Sequence, residues 1–315
     1  MRFWQGCMIA LARSGAVTRF MQDLAPTSGL ASRFVAGAQV ADAIAAAQRL
    51  KTRKLTTSAF FLGEYVSDRE KVETNVAGIL AVIEAIDGAE VDLHISVDPS
   101  QVGYAIDDDL GADNTLRIAR AIKEKAVSGR KTLMLDMEDE DYVQRTIELH
   151  DHMGDNGYPV AITVQAYLRR SEADVRALAK RGAMVRLVKG AFVGSKKTAF
   201  ITRADIDASY RRLASLLLST DAKNAGAYPV FGPHDDKLIA ALREEATGNG
   251  WKPGTYEFEM LFGVRPSLQE SLTNEGCAVR LYLPFGRDWW PYAVRRIGEN
   301  PRNAWLVVKA LIARQ

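Results

Sequence analysis

Eight short apolar runs punctuate the chain. Each closes on a polar residue and gives way to a helix-length amphipathic stretch. The runs are Ser58–Leu62, Leu93–Val97, Thr132–Leu135, Val160–Val164, Met184–Val188, Tyr228–Phe231, Tyr256–Met260 and Val279–Leu283. Runs this apolar are buried on both faces, as in parallel sheets covered by helices. Helical spacing fills the gaps, for example over Asn114–Ala126, Tyr142–Met153, Glu172–Arg181, Ile206–Ser219 and Asp235–Ala246. Eight strand–helix alternations predict an α/β fold, a (β/α)8 TIM-type barrel with extra N-terminal helices. A doubly wound sheet is the rival, but no glycine-rich phosphate fingerprint follows the first run. The expected division is helices packing on the barrel in residues 1–55 and the catalytic barrel in 56–315.

A barrel of this kind carries its chemistry at the C-terminal ends of its strands. Those ends read Glu64, Asp98, Asp136, Gln165, Arg186 with Lys189, His234, Glu257 with Glu259, and Tyr282. Polar residues always collect at strand ends, so half of these could be loop residues; all of them together point to a site. The set mixes acids, bases and an amide and has no His/carboxylate cluster at metal-ligand spacing. That favours a large polar cofactor and no metal.

Three stretches are more specific. In TLMLDME, Asp136 ends an apolar strand, as a catalytic acid or a helix N-cap would. In VRLVKGAF, Arg186 alternates with apolar neighbours, and the Lys189–Gly190 pair lets backbone and ammonium approach a phosphate. In PYAVRRIGEN, Arg295 and Arg296 are adjacent in an amphipathic helix, with Glu299 one turn past Arg295. Helical neighbours point about a hundred degrees apart, so one solvated face cannot hold both. A salt-bridged surface and an anion clamp both fit these residues.

Composition narrows the class. The 315 residues are 47% hydrophobic and 25% charged with a net charge of +2, too small to argue for nucleic acid or an anionic membrane surface. Cys7 and Cys277 sit near opposite ends and define no disulfide framework, which suits a reducing, cytoplasmic setting. No apolar run approaches the ~20 residues of a membrane span. The basic N-terminus reads as a folded amphipathic helix rather than a transit peptide.

Taken in order, LGE (Leu62–Glu64), LDM (Leu135–Met137), Gln165, RLVKGAF (Arg186–Phe192), ADIDASYRRL (Ala204–Leu213), EFEMLFG (Glu257–Gly263) and YLPFGRDWWPYAVRRIGEN (Tyr282–Asn300) resemble the monofunctional bacterial FAD-dependent proline dehydrogenases. The resemblance runs from about Ser58 to Asn303. It implies a (β/α)8 barrel with FAD across its C-terminal face. It implies hydride transfer from the proline ring carbon next to nitrogen to FAD, giving 1-pyrroline-5-carboxylate, the first step of proline catabolism. By the same resemblance Asp136 and Arg186 are catalytic. Met137, Gln165, Arg186, Val188, Lys189, Gly190 and His234 bind the cofactor. Arg295, Arg296, Tyr282, Glu64 and Asp98 line the substrate site. A quinone acceptor, a separate 1-pyrroline-5-carboxylate dehydrogenase partner and at most peripheral contact with the inner membrane are implied as well.

Four positions depart from the family pattern. Asp98 stands where the resemblance implies a carboxylate-binding lysine, Phe60 where it implies an aspartate, and Phe192 where it implies a tyrosine. Pro233 replaces a threonine before His234. A charge reversal about 4 Å from an anion is worth several kcal/mol in a partly solvated site. Two further readings therefore stand beside proline oxidation: oxidation of a related cyclic or N-substituted amino acid, and a flavin-binding barrel with little turnover.

Overall fold

The computed structural model describes residues 31–63, 66, 68–86, 89–127, 129–190 and 194–293. Eight parallel strands close into a barrel in sequence order. They are β1 Thr56–Phe61, β2 Leu93–Val97, β3 Lys131–Leu135, β4 Val160–Gln165, β5 Met184–Val188, β6 Tyr228–Phe231, β7 Glu257–Leu261 and β8 Val279–Phe285. The seam between β8 and β1 is long, running from Thr56↔Arg280 to Phe61↔Phe285. Each predicted run is a strand, with ends within two residues of those expected.

The described helices are α1 Ala31–Phe34, α2 Val40–Lys51, α3 Arg69–Ile86, α4 Asp108–Glu124, α5 Val143–Asp155, α6 Ser171–Lys180, α7 Arg203–Leu217, α8 Thr220–Asn224, α9 Asp236–Gly248 and α10 Pro266–Asn274. Residues 289–293 are also helical. Helix α4 starts six residues earlier than its apolar periodicity suggests. The acidic run before Asn114 reads as loop, yet the Asp107 side chain caps the helix by accepting from Leu110 N–H at 2.9 Å. Asp108 and Asp109 then sit in the first turn, where the helix dipole favours negative charge. Gly111 is needed there because a Cβ would lie 2.2 Å from the Tyr104 ring.

Helix α2 buries Ala43, Ala46, Ala47 and Leu50, one face at helical spacing. That face packs on β1, β8 and α3, so a segment before the first strand covers the seam.

Strand alternation sorts the side chains into two cores. Leu93, Ile95 and Val97, Leu133 and Leu135, Ile162 and Val164, Val185 and Leu187, Phe258 and Met260, and Leu281 and Leu283 join the apolar shell under the helices. Their alternates face the barrel axis in three layers. The floor holds His94, Tyr228, Glu257 and Arg280; the middle holds Ser58, Ser96, Thr163, Arg186, Glu259 and Tyr282; the mouth holds Phe60, Asp98, Asp136, Gln165 and Val188.

Candidate active site

The middle layer is ionic although it is buried. Arg186 is 6% exposed, and its Nε donates to Thr163 Oγ1 at 3.0 Å. Its Nη1 donates to Glu259 Oε1 at 3.1 Å and to Ser96 Oγ at 3.4 Å, and its Nη2 donates to Asp136 Oδ1. Asp136 closes the cluster from β3: its Oδ2 accepts from Tyr282 O–H at 2.8 Å, and its own N–H donates to Val97 C=O at 2.9 Å. The Arg186 guanidinium also lies 5.2 Å over the Tyr282 ring, a cation–π contact. Asp136, Arg186 and Tyr282, expected in one site, therefore touch.

Two carboxylates share one guanidinium here, which sets the protonation states. Burial pushes Asp136 up to about 6 and the Glu259 charge adds to that, against the pull of Arg186 and of the Tyr282 hydroxyl. Arg186, held between two acids, keeps its charge more tightly than a free arginine. Burial, with Asp136 and Asp98 nearby, raises the Tyr282 phenol well above its ordinary range, so it stays a donor.

Asp98 faces inward. Asp98 directly follows β2, two residues past Ser96, and its charge acts on Tyr282. Its backbone is fixed: Asp98 N–H donates to Gln101 Oε1 at 3.4 Å, and Gln101 in turn donates to Phe61 C=O. Glu138 staples the same turn by accepting from Ser100 N–H at 2.6 Å and Ser100 Oγ at 2.7 Å. Phe60 is fully buried beside it, its ring 5.2 Å from that of Tyr282.

The residues expected to bind cofactor line one side of the mouth. Gln165 ends β4, is 3% exposed and donates to Met137 C=O at 2.8 Å. Its Oε1 is buried with no hydrogen-bond partner among the described residues. Val188 pairs in register with Gln165. Lys189 Nζ binds Asp207 on α7. Gly190 has φ 98, and a Cβ there would lie 2.3 Å from Tyr167 Cδ1, so only glycine fits. His234 Nε2 accepts from Leu261 N–H at 3.2 Å, which puts the ring proton on Nδ1. Arg265 holds the loop by donating to His234 C=O at 2.8 Å. Glu64, Arg295 and Arg296 lie outside the described residues, as do Phe192 and Glu299.

Two sequence expectations need correction. Glu257 does not end a strand; it begins β7 on the barrel floor. There it accepts from Arg280 Nε at 2.7 Å and Tyr228 O–H at 3.2 Å, while Arg280 also reaches Asp92 at 2.8 Å. Tyr282 is in the middle of β8, which runs on to Phe285, and reaches the mouth by the length of its side chain. Ser58, Ser96 and Thr163 were missed as partners of the ionic cluster. Their signal is a small polar residue alternating with branched apolar ones inside a strand. Trp289 and Trp290 pack against each other, both 3% exposed with ring centroids 5.7 Å apart. Among the described residues no group of three or more His, Cys, Asp or Glu could hold a metal ion, and no helix is long and apolar enough to cross a membrane.

Comparison with known proteins converges on one family. The family model described as Proline dehydrogenase matches residues 43–308. Proline dehydrogenase of Deinococcus radiodurans is 36% identical over 285 residues, covering 90% of each chain. Proline dehydrogenase 2 of Bacillus subtilis is 31% identical over 281 residues, covering 89% of this chain and 90% of the relative. Among solved structures, proline utilization A (PutA) from Bdellovibrio bacteriovorus, inactivated by N-propargylglycine, superposes with a TM-score of 0.77 at 22% identity. That match covers 86% of this chain and 32% of the PutA chain, so the chain spans about a third of it, and the likeness speaks for the barrel. With a closed eight-stranded barrel, a family model spanning most of its length and relatives above 30% identity at near-full coverage, the chain belongs to the proline dehydrogenase family.

Proposed function

We propose that this chain oxidises L-proline to 1-pyrroline-5-carboxylate with FAD as the electron acceptor. The observation that carries this reading is the buried Asp136–Arg186–Tyr282 cluster, which links the middle layer to the mouth of a proline dehydrogenase barrel. The mouth fits a flavin. Gln165 Oε1 is a buried acceptor with no partner among the described residues, and at Gly190 the backbone comes too close to Tyr167 for a side chain. Gln165, Met137, Arg186, Val188, Lys189, Gly190 and the His234 Nδ1–H would hold the cofactor.

Bound FAD supplies a two-electron acceptor for the hydride that leaves the ring carbon next to nitrogen. The chain's own work is positioning. The neutral amine gives up that hydride, its nitrogen forms the C=N bond, and the iminium N–H proton then passes to solvent. Arg186 offers fixed positive charge to the electron-rich product state, and Asp136 holds the Arg186 fork and the Tyr282 hydroxyl in place. Tyr282 and Phe60 form an aromatic wall against which a small apolar ring packs. Arg295 and Arg296, with Glu64, are proposed from the resemblance as the clamp on the amino-acid carboxylate. A quinone is proposed as the final acceptor. A separate enzyme consuming the product is proposed because a curated relative in Escherichia coli is named bifunctional protein PutA.

The test is anaerobic bleaching of the FAD-loaded protein by excess L-proline. Bleaching is the expected result. A protein that stays oxidised with proline but bleaches with hydroxyproline, pipecolate or sarcosine would move the substrate assignment to the related amino acid, with inward-facing Asp98 as the cause.

Two predictions attach to Asp136. The rate of flavin reduction should fall on the acid side with a midpoint near 6, where the carboxyl takes up its proton. Asp136→Asn should remove that limb and lower the rate, leaving only the pH dependence of the substrate amine. Stability runs the other way. Because the folded state raises this carboxyl, it contributes stability below its ordinary value and loses that contribution as pH rises through about 6. Tyr282→Phe removes a donor to the ionised form, so the limb should move to higher pH. The rate should drop about tenfold, the size of one hydrogen bond to a charged group, with FAD content unchanged.

A further inference from the structure

A guanidinium has five N–H donors. Four of those on Arg186 are engaged inside the barrel, by Thr163, Ser96, Glu259 and Asp136. One N–H, on Nη2, remains for whatever binds above. Of the two charged partners, Asp136 is at the mouth and Glu259 is one layer deeper.

Glu259 is 4% exposed, its Oε1 accepts from both Ser58 Oγ and Arg186 Nη1, and its Oε2 has no hydrogen-bond partner among the described residues. A buried carboxylate held this way is costly, and a buried ion pair replaced as a whole by hydrophobic groups is often no less stable. Arg186 with Asp136 alone would be neutral; with Glu259 the cluster carries one excess negative charge. The extra acid therefore calls for a reason beyond packing.

We propose that Glu259 is a positioning residue for the oxidation: it grips Arg186 from inside the barrel, so the guanidinium stays in place whether or not Asp136 is ionised. Asp136 is then not the sole counter-ion of Arg186. The groups facing Asp136 are the Arg186 charge from β5, the Glu259 charge from β7 and the neutral Tyr282 hydroxyl from β8; the Asp98 charge acts on Tyr282. His94, beneath them on β2, is kept neutral by burial and by the charges of Arg280 and Arg186. Only Glu259 both pushes Asp136 toward its protonated form and holds the arginine that Asp136 would otherwise release.

The test uses the FAD-loaded protein labelled with carbon-13 at aspartate carboxyls, with Asp136→Asn assigning the Asp136 signal. In Glu259→Gln, which keeps shape and an acceptor but removes the charge, proton affinity at Asp136 should fall about tenfold, moving its midpoint down by about one unit. The acid limb of flavin reduction by L-proline should move with it. Glu259→Asp keeps the charge and pulls it back by one methylene; its Asp136 midpoint should stay near wild type while the reduction rate falls about 10–100-fold with little change in KM. An unmoved midpoint in Glu259→Gln, or a wild-type rate in Glu259→Asp, overturns the proposal. So does a loss of melting temperature and FAD with no change in either readout, the mark of a merely structural acid. The rate arm rests on proline being the substrate. The carboxyl titration does not, so a wild-type protein that proline fails to reduce would sink that assignment while Glu259 is still decided.

Discussion

Arg186→Met should slow reduction of the flavin by L-proline about 10²–10³-fold and lower the melting temperature in the same protein. The first effect follows from removing a fixed positive group from the place where electron density arrives, which mutagenesis of comparable charge-stabilising donors puts at that size. The second follows from what stays behind. Asp136 and Glu259 would face each other with no cation between them, and truncating one member of a buried pair costs about 3–5 kcal/mol. Asp136 answers by holding its proton, so its midpoint should rise above about 6. Arg186→Lys should recover part of the stability and little of the rate. An ammonium is a point charge and cannot span Thr163, Glu259, Ser96 and Asp136 as the fork does. Stopped-flow reduction and a thermal melt on the same preparations check both halves. Loss of rate without loss of stability would mean that the acids find another partner.

Arg280→Met should behave differently. Arg280 is 1% exposed and donates to Glu257 through Nε and Nη2, to Asp92 at 2.8 Å and to Thr57 C=O at 2.8 Å. Burial opposes its charge, but Glu257 and Asp92 hold it above its ordinary range. The variant leaves Glu257 buried without its cation, again about 3–5 kcal/mol, and the melting temperature should fall on the order of 10 °C. This cluster belongs to the floor, so the reduction rate of the folded fraction should stay within about threefold of wild type. Adding Glu257→Leu should restore most of the stability, because replacing both partners by apolar groups is often neutral. A double variant as unstable as Arg280→Met would show that Asp92 or Tyr228, which bonds Glu257 at 3.2 Å, carries the cost instead.

The strands were legible because each is a nearly unbroken apolar run, and only double burial produces such runs. Where the sequence misled, the cause was length. Glu257 and Glu259 look equivalent in EFEM, but two residues of strand rise separate the floor from the middle layer, and hydropathy does not mark which end of a run faces the site. Tyr282 looked terminal for the same reason. The inward direction of Asp98 was available in HISVD, since alternation with Ile95 and Val97 leaves it no other face. The pairing of Glu259 with Arg186 was not, because it joins β7 to β5 across the barrel axis at a separation of 73 residues. Helix α2 was expected on the barrel, but its seat over the seam depends on closure, which no local pattern encodes.

That seat has a consequence for how the protein comes to be made. The apolar face of α2 and the free edge of β1 leave the ribosome early, yet their shared partner is β8. Thr56 Oγ1 donates to Val279 C=O across 223 positions of sequence. Until the last strand emerges, a growing chain carries an open sheet edge and an uncovered alanine-rich stripe, the features that recruit chaperones and seed aggregates. Closure joins strands 223 residues apart at that contact, so synthesis arrested before Val279 should yield insoluble chains rather than a smaller working barrel.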